Sequence, residues 1–301
     1  MDVLVSGSTG LIGAALVRAL EARGDRVRRL RRGGASDPDD VAWDIDAGTI
    51  GRAALAEVDA VVHLAGEGIG ERRWTDDQKR AIRESRTRGT SLLARALADA
   101  ERKPAVFVSA SAIGYYGDRG DEILTEASAP GDDFLARVCV DWEQAAQPAA
   151  DAGVRTVWAR TGIVLDAHGG ALARMALPFK LGVGGRIGSG RQFMSWVTLD
   201  DEVRAILHAI DDASVRGPIN VTAPNPVSNQ EFTATLGRVL RRPTVLPTPL
   251  FGLRALYGAE LVEHLLLFSQ RVQPTALTAS GFAFAHPQLE PALRAVLGRE
   301  R

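Results

Sequence analysis

Three glycines at Gly7, Gly10 and Gly13 separate a short apolar run, residues 3–6, from an amphipathic run that ends at Gly24. Between a strand and a helix, the first glycine permits a tight turn and the second lets the backbone approach a pyrophosphate. The third lets the helix pack close to the strand, with its N-terminus facing the phosphates. This pattern predicts a strand–turn–helix unit that binds a dinucleotide.

The spacing is Gly-x-x-Gly-x-x-Gly, which differs from the G-x-G-x-x-G of the general dinucleotide fingerprint. An ordinary glycine-rich turn is the alternative. If the dinucleotide interpretation holds, the phosphates contact the loop and the first helical turn, namely Gly7, Ser8, Thr9, Gly10, Leu11, Ile12 and Gly13.

Strand-like and helix-like runs alternate through the first half of the chain. Apolar strand patterns occupy residues 26–30, 59–66, 105–111 and 154–162, and helical patterns occupy residues 75–100 and 137–153. Continuously apolar strands separated by helices are typical of a parallel sheet that is covered on both faces. We therefore predict an α/β fold, a Rossmann-type doubly wound parallel sheet.

The sequence changes character after about residue 163. Glycines concentrate in residues 182–192, and turn residues from 223 precede a helical pattern at 229–240 and a proline-rich stretch. We predict a dinucleotide-binding domain at 1–222, with a glycine-rich substrate loop at about 163–195. A small, mostly helical domain at 223–301 would lie over the active-site cleft.

Charge and cysteine content exclude several classes of partner. The formal net charge of −1 gives no general attraction to nucleic acid or to an anionic membrane. Cys139 is the single cysteine and the five histidines are scattered, so we expect neither an internal disulfide nor a metal site. No basic leader or membrane-length apolar run is present, and we expect a cytoplasmic protein.

Arg31 and Arg32 follow the second predicted strand, where a carboxylate would bind the ribose hydroxyls of NAD. An arginine at this place accommodates the 2′-phosphate of NADP instead. The two arginines therefore favour NADP(H), the alternative being that they are solvated surface residues.

Several further motifs carry a family resemblance, namely VVHLAGEGI, RRW, SRTRGT, SAIGYYG, DFLARVCVDWE, RTGIVL, GGRIGSGRQFMSWV and GFAFAHPQLEPALRAVL. Together they resemble an atypical, epimerase-like branch of the extended short-chain dehydrogenase/reductase superfamily. Members of this branch carry a small C-terminal domain of unknown function and are sometimes labelled cell-division inhibitors. The resemblance covers essentially the whole chain.

The resemblance implies further cofactor contacts at the carboxyl ends of the strands. The residues that it places there are Leu64, Ala65, Gly66, Arg86, Ser109, Arg160 and Val164. Each has a simpler alternative: residues 63–66 can be a buried strand end only, and Arg86 a solvated helix residue.

The superfamily normally uses a tyrosine with a lysine four residues later, and this chain has no such pair. Residues four positions after Tyr115, Tyr116 and Tyr257 are Arg119, Gly120 and Leu261. In the expected segment the pair is apolar in either register, Phe134 with Val138 or Leu135 with Cys139. The usual proton donor and the group that activates it are both missing.

Ser111, Tyr115 and Tyr116 remain near the expected nicotinamide position. A phenol there can donate a proton, and we favour Tyr116 over Tyr115, with Ser111 as an orienting hydroxyl. The two tyrosines can equally just line the pocket. Further predicted substrate contacts are Glu67, Trp74, Gln192 and Trp196.

Two hypotheses of function follow. The first is an NADP(H)-binding oxidoreductase or epimerase-like enzyme acting on a small carbonyl or hydroxyl compound. A sugar nucleotide is the common substrate of the superfamily. The second is a non-catalytic NADPH-sensing protein that binds a partner, which the missing tyrosine–lysine pair favours. The sequence leaves the oligomeric state open.

Overall fold

The computed structural model describes residues 1–34, 37, 39–51 and 55–299. The strands are β1 Asp2–Ser6, β2 Arg26–Arg32, β3 Asp40–Asp44, β4 Thr49–Ile50, β5 Ala60–His63, β6 Val106–Ala112, β7 Ile123–Leu124, β8 Arg155–Thr161, β9 Ile163–Leu165, β10 Phe193–Met194, β11 Trp196–Thr198, β12 Gly217–Val221, β13 Val227–Ser228 and β14 Arg271–Val272. The α-helices are α1 Leu11–Ala22, α2 Asp76–Ala98, α3 Phe134–Asp151, α4 Gly170–Lys180, α5 Leu199–Asp211, α6 Asn229–Leu240, α7 Leu250–Tyr257, α8 Ala259–Val262, α9 Thr275–Ala279 and α10 Leu289–Val296. A 3₁₀ turn spans Ile113–Tyr116, and a π-helical turn spans Glu263–Leu267.

An eight-stranded sheet forms the centre of the molecule, in the order β12-β8-β6-β5-β1-β2-β3-β4. Its neighbouring strands are parallel except β3 and β4, which are antiparallel. Strand β1 pairs with both β2 and β5, so the strand order reverses beside β1. Ligands of such sheets bind in the crevice outside the carboxyl ends of the strands at this reversal. The predicted doubly wound parallel sheet is confirmed.

The strands are apolar on both sides because both faces of the sheet are covered. On one face, Val3 belongs to a core cluster with Leu16 of α1 and Ile206 of α5. On the other face, the next residue Leu4 belongs to a cluster with Leu93 of α2. Successive side chains of one strand thus enter two different cores.

Capping residues set where the helices begin. The Thr75 side chain accepts a hydrogen bond from the backbone N–H of Gln78, so α2 begins as predicted. Asp133 accepts bonds from the N–H groups of Leu135 and Ala136. Helix α3 therefore begins at Phe134, three residues earlier than the predicted helix at 137–153.

The predicted glycine-rich loop at 163–195 is only partly irregular. It contains strand β9, helix α4 and strand β10, and its longest stretch without helix or strand lies between α4 and β10. Leu172 and Trp196 from before residue 222 share a core cluster with Phe232 and Leu293 from after it. The core beside the sheet is thus assembled from both sides of the expected boundary.

None of the helices in the described part of the chain combines the length and the apolar content that a membrane span requires.

Glu202 of α5 is a buried carboxyl group with one hydrogen-bond partner. Its Oε1 accepts a bond of 2.8 Å from the Thr161 hydroxyl, and its Oε2 has no partner. Burial raises the pKa of Glu202 from 4.5 to about 8. The folded protein therefore keeps a proton there that the unfolded chain releases.

We expect this proton to make stability pH-dependent. The contribution of Glu202 is complete below about pH 4.5 and is lost as pH rises through about 8. Urea unfolding of wild type and Glu202→Gln should show the variant gaining relative stability over this range, by at most about 1.4 kcal/mol per pH unit. Glu101→Gln, at an exposed site, is the control. If the free energy of unfolding changed with pH in the same way for Glu202→Gln and wild type, a shifted pKa of Glu202 would be contradicted.

Candidate functional site

The glycine loop packs directly on the carboxyl end of β5. Gly7 has a φ of 66°, and a Cβ there would lie 2.8 Å from the carbonyl carbon of Leu64. A Cβ on Gly13 would collide with the carbonyl oxygen of Gly7. A Cβ on the exposed Gly10 would meet only that same oxygen, at 3.3 Å. Gly7 and Gly13 thus allow close packing of the backbone, and Gly10 leaves open space beside the loop.

The N-terminus of α1 faces this space. Gly10 supplies no side-chain cap, and the first turn contains no acidic residue. The partial positive charge of the helix end is therefore neither capped nor neutralised by the chain itself. A helix end of this kind beside a glycine loop fits a phosphate group.

Ser6 and His63, at paired positions of β1 and β5, join the two strand ends. The Ser6 Oγ lies 2.6 Å from His63 Nδ1 and accepts a hydrogen bond from the N–H of Leu64. Burial lowers the pKa of His63 to about 4, so its ring is neutral. The sequence analysis did not predict this contact. It follows once β1 is known to pair with β5, because Ser6 and His63 are then neighbours.

The two arginines at the end of β2 differ in whether their side chains are already paired with a carboxylate. Arg31 donates from Nε to the buried Asp40 at 3.1 Å and is 39% exposed. Arg32 is exposed and forms no ion pair with any residue that the structure describes. Of the two, Arg32 is the more available to an anion.

Arg86 of α2 reaches across the end of β5. Its Nη1 donates to the carbonyl oxygens of Glu67 and Ile82, both at 3.0 Å, and its guanidinium lies 4.9 Å from the Trp142 ring centroid. Burial lowers its pKa, and no carboxylate among the described residues pairs with it. A mostly buried cation without a carboxylate beside the crevice fits an anionic ligand.

Arg160 organises a polar cluster under the 3₁₀ turn. It forms two hydrogen bonds with Glu143, at 2.8 and 2.9 Å, and Glu143 also accepts one of 2.7 Å from Ser111. The Arg160 guanidinium lies 3.5 Å from the Tyr115 ring centroid and donates to the Tyr116 hydroxyl. The side chains of Arg160 and Ser111 are therefore held inside the protein, and we remove both from the predicted contacts.

Tyr116 is fully buried, with 0% of its surface exposed. Its hydroxyl donates to Asn220 at 2.6 Å and accepts from Arg160 at 3.0 Å. Burial raises its pKa to about 12. These contacts argue against our preference for Tyr116 as the proton donor. Tyr115 is half-buried, and its hydroxyl bonds to no described residue.

Leu135 and Cys139 form the pair that faces the 3₁₀ turn. A Cβ on Gly114 would lie 3.5 Å from the Leu135 Cβ and 3.8 Å from the Cys139 Sγ. Burial raises the pKa of the Cys139 thiol to about 12, so the thiol stays neutral at physiological pH. The face of α3 that would carry the tyrosine and lysine thus offers no charge.

Some of the remaining predicted site residues are buried, and the others keep exposed surface. Trp196 and Ser109 are fully buried, and Gln192 uses its amide to hold the carbonyl oxygens of Ile187 and Leu266. We remove these three side chains from the predicted ligand contacts because they have packing or bracing roles. The predicted residues that remain partly exposed are Leu64, Ala65, Glu67 and Trp74, between β5 and α2, and Val164, in β9. Gly66 is exposed.

Trp74 belongs to an aromatic cluster that our sequence analysis missed. Its ring centroid lies 5.3 Å from that of Phe134 and 5.4 Å from that of His264. Phe268 stacks on His264 at 4.6 Å. The cluster joins the loop after β5, the start of α3 and the π-helical turn.

The chain is similar to known proteins over almost its whole length. Residues 3–222 match the NAD dependent epimerase/dehydratase family, and residues 248–296 match a domain of unknown function, DUF1731. An epimerase family protein of Mycobacterium bovis, Mb2239, is 45% identical over 97% of this chain and 96% of its own length.

Solved structures are similar as well. The human epimerase family protein SDR39U1 (isoform 2), crystallised with NADPH, has a TM-score of 0.91 at 36% identity and covers 99% of both chains. A nucleoside-diphosphate sugar epimerase of Corynebacterium glutamicum has a TM-score of 0.82 at 39% identity, over 99% of this chain and 58% of its own.

On these matches, the chain belongs to the NAD-dependent epimerase/dehydratase family, with a DUF1731 domain at its C-terminal end.

Proposed function

We propose that this protein binds NADP(H) and is an oxidoreductase or epimerase-like enzyme for a small carbonyl or hydroxyl compound. The observation that carries the proposal is the uncapped N-terminus of α1, framed by glycines that pack on the end of β5. The human structure with NADPH, similar over 99% of both chains, supports the same cofactor here. The bound cofactor would supply or accept the hydride.

In this proposal each part of the crevice contacts one part of the cofactor. The backbone of Gly7 to Gly13 holds the pyrophosphate, and Arg32, with Arg31 beside it, binds the 2′-phosphate. Arg86 supplies a positive charge near the Leu64–Gly66 backbone. The backbone of Ser109 and the segment from Arg160 to Val164 line the nicotinamide end.

On the substrate side, Glu67, Trp74 and Tyr115 are the predicted residues that keep exposed surface. A sugar nucleotide is one candidate substrate, because a relative covering 99% of this chain is described as a nucleoside-diphosphate sugar epimerase. We further infer a cytoplasmic protein whose ligands are small molecules rather than nucleic acids.

A second function, NADPH sensing without catalysis, is favoured by the neutral Leu135–Cys139 face and by the burial of Tyr116. Turnover of NADPH with carbonyl compounds would exclude it. A partner that is captured in stoichiometric amount only when NADPH is bound would favour it over the enzyme.

The phosphate cradle can be tested with a pair of glycine variants. Gly10→Val should fold and should bind NADPH at least about tenfold more weakly, because its side chain enters the space left for the pyrophosphate. Gly13→Val should lose thermal stability instead, since its side chain collides with the Gly7 carbonyl. Fluorescence titration and circular dichroism measure the two effects. Unchanged affinity in folded Gly10→Val would remove Gly10 from the site.

The choice of cofactor can be tested at the end of β2. A charge-assisted hydrogen bond is worth about 1.5–3 kcal/mol, so Arg32→Ser should weaken NADPH binding by roughly tenfold or more. Arg31→Ser should have a smaller effect, because Asp40 already holds its Nε. NADH affinity should stay the same in both variants. Wild-type protein that binds NADH as tightly as NADPH would contradict the assignment.

A further inference from the structure

The neutral face of α3 leaves the proposed reaction without its usual proton donor, but the start of the same helix carries an acid. Asp133, at the N-cap of α3, lies opposite His264 of the π-helical turn. Turns of this rare type often occur at functional sites. The two side chains are each 13% exposed.

His264 has one nitrogen engaged and one available. Its Nδ1 lies 2.8 Å from the carbonyl oxygen of Glu260, and a carbonyl only accepts, so Nδ1 carries a proton. Its Nε2 lies 3.8 Å from Asp133 Oδ1, which is too long for a direct hydrogen bond. An oxygen atom of a ligand can bridge a gap of this length.

Asp133 has one oxygen to spare. Its Oδ1 caps α3, with bonds of 2.8 and 3.2 Å to the N–H groups of Leu135 and Ala136. Its Oδ2 is buried and has no hydrogen-bond partner. A buried carboxylate oxygen without a donor is costly and calls for a specific explanation. Among the described residues, the Asp133 carboxylate thus receives only the two backbone N–H donors at Oδ1, and Oδ1 is also the oxygen that faces His264.

The surroundings select an uncharged ligand. The rings of Trp74 and Phe268 pack on the His264 ring, and Phe134 packs on Trp74. The nearby cation Lys79 is already paired with Glu260 at 2.5 Å, so it offers little net charge to an anion. Aromatic walls with two polar groups suit a neutral, ring-bearing molecule with a carbonyl or hydroxyl oxygen.

This cluster adjoins the loop that carries Tyr115. A Cβ on Gly117 would lie 2.7 Å from Asp133 Oδ2, and Gly117 directly follows the 3₁₀ turn. Gln270, shortly after the π-helical turn, donates to the carbonyl oxygens of Ile113 and Gly117. The C-terminal region thus holds His264 against the proposed substrate side of the crevice.

We propose that His264 is the acid–base group of this protein, with Asp133 as its positioning residue, and that the pair binds the reacting oxygen of a neutral, ring-bearing substrate. The proposal rests on the proposed oxidoreductase function. In reduction, the carbonyl carbon accepts a hydride from the cofactor while the carbonyl oxygen accepts the proton from His264 Nε2. The C=O π bond, the hydride donor's C–H bond and the Nε2–H bond are lost, the product's C–H and O–H bonds form, and the neutral imidazole that remains regains a proton from solvent.

Three variants isolate the pair. His264→Phe keeps a ring of similar shape and removes both nitrogens. Asp133→Asn keeps an effective helix cap and removes the charge. His208→Phe is the matched control, because His208 also lies 3.7 Å from a carboxylate, that of Asp212, and beside an aromatic ring. Circular dichroism checks that each variant folds.

The first readout needs no turnover. Benzyl alcohol and cyclohexanol are added to protein saturated with NADP⁺, and the ring protons of the five histidines are followed by NMR. The signals that vanish in His264→Phe should shift with alcohol in wild type and in His208→Phe. In Asp133→Asn the shift should need at least about tenfold more alcohol.

The second readout is NADPH consumption with benzaldehyde and cyclohexanone. His264→Phe should lower kcat by about 10²-fold or more, as loss of a general acid does, with a smaller change in KM. Asp133→Asn should lower kcat in the same direction. His208→Phe should retain the wild-type kcat.

Two results would overturn the pair: His264 signals that neither alcohol moves while NADP⁺ is bound, or wild-type turnover in His264→Phe. Loss of turnover in Tyr115→Phe alone would assign the proton to the phenol instead. Failure to bind NADPH, with His264 still responding to the alcohols, would contradict the proposed function and leave the pair as a ligand site.

Discussion

The contact of Gly7 with the peptide that follows β5 is the constraint on which the crevice depends. Because Gly7 has no side chain, the two backbones lie so close together that a Cβ on Gly7 would be only 2.8–2.9 Å from backbone atoms of Leu64 and Ala65. Ser6 and His63 hold the same junction with buried hydrogen bonds. The N-terminus of α1 is thereby aimed at the space outside β1 and β5, where Arg32 and Arg86 approach from either side.

Elements with a strong local pattern could be predicted from the sequence. Strands β1, β5 and β6 consist mainly of apolar residues, and α2 and α6 follow clear helical patterns, so their positions were predicted to within a few residues. Strand β3, between β2 and β4, has the sequence DVAWD, and its two aspartates interrupt the apolar pattern by which a strand could have been predicted. Strands β9 and β11 are three residues long and exist because they pair with each other.

In the candidate site, too, features with a local sequence pattern could be predicted and contacts between distant residues could not. The glycine loop could be predicted because its three glycines lie within seven residues of sequence. The burial of Tyr116 depends on Asn220 and Arg160, and that of Trp196 on the core shared with α6 and α10. The approach of His264 to Asp133 joins residues far apart in the chain, so no local pattern indicates it.

The bonds from Gln270 to the loop after β6 have a consequence for the order in which the molecule is completed during synthesis. The strands β1, β2, β5 and β6 and their helices lie in the first half of the chain, so the glycine-loop side of the crevice can fold while translation continues. The aromatic cluster must wait until residues 263–273 have left the ribosome. Until then the rings of Trp74 and Phe134 lack the cover of His264 and Phe268, and a newly made chain exposes apolar surface there.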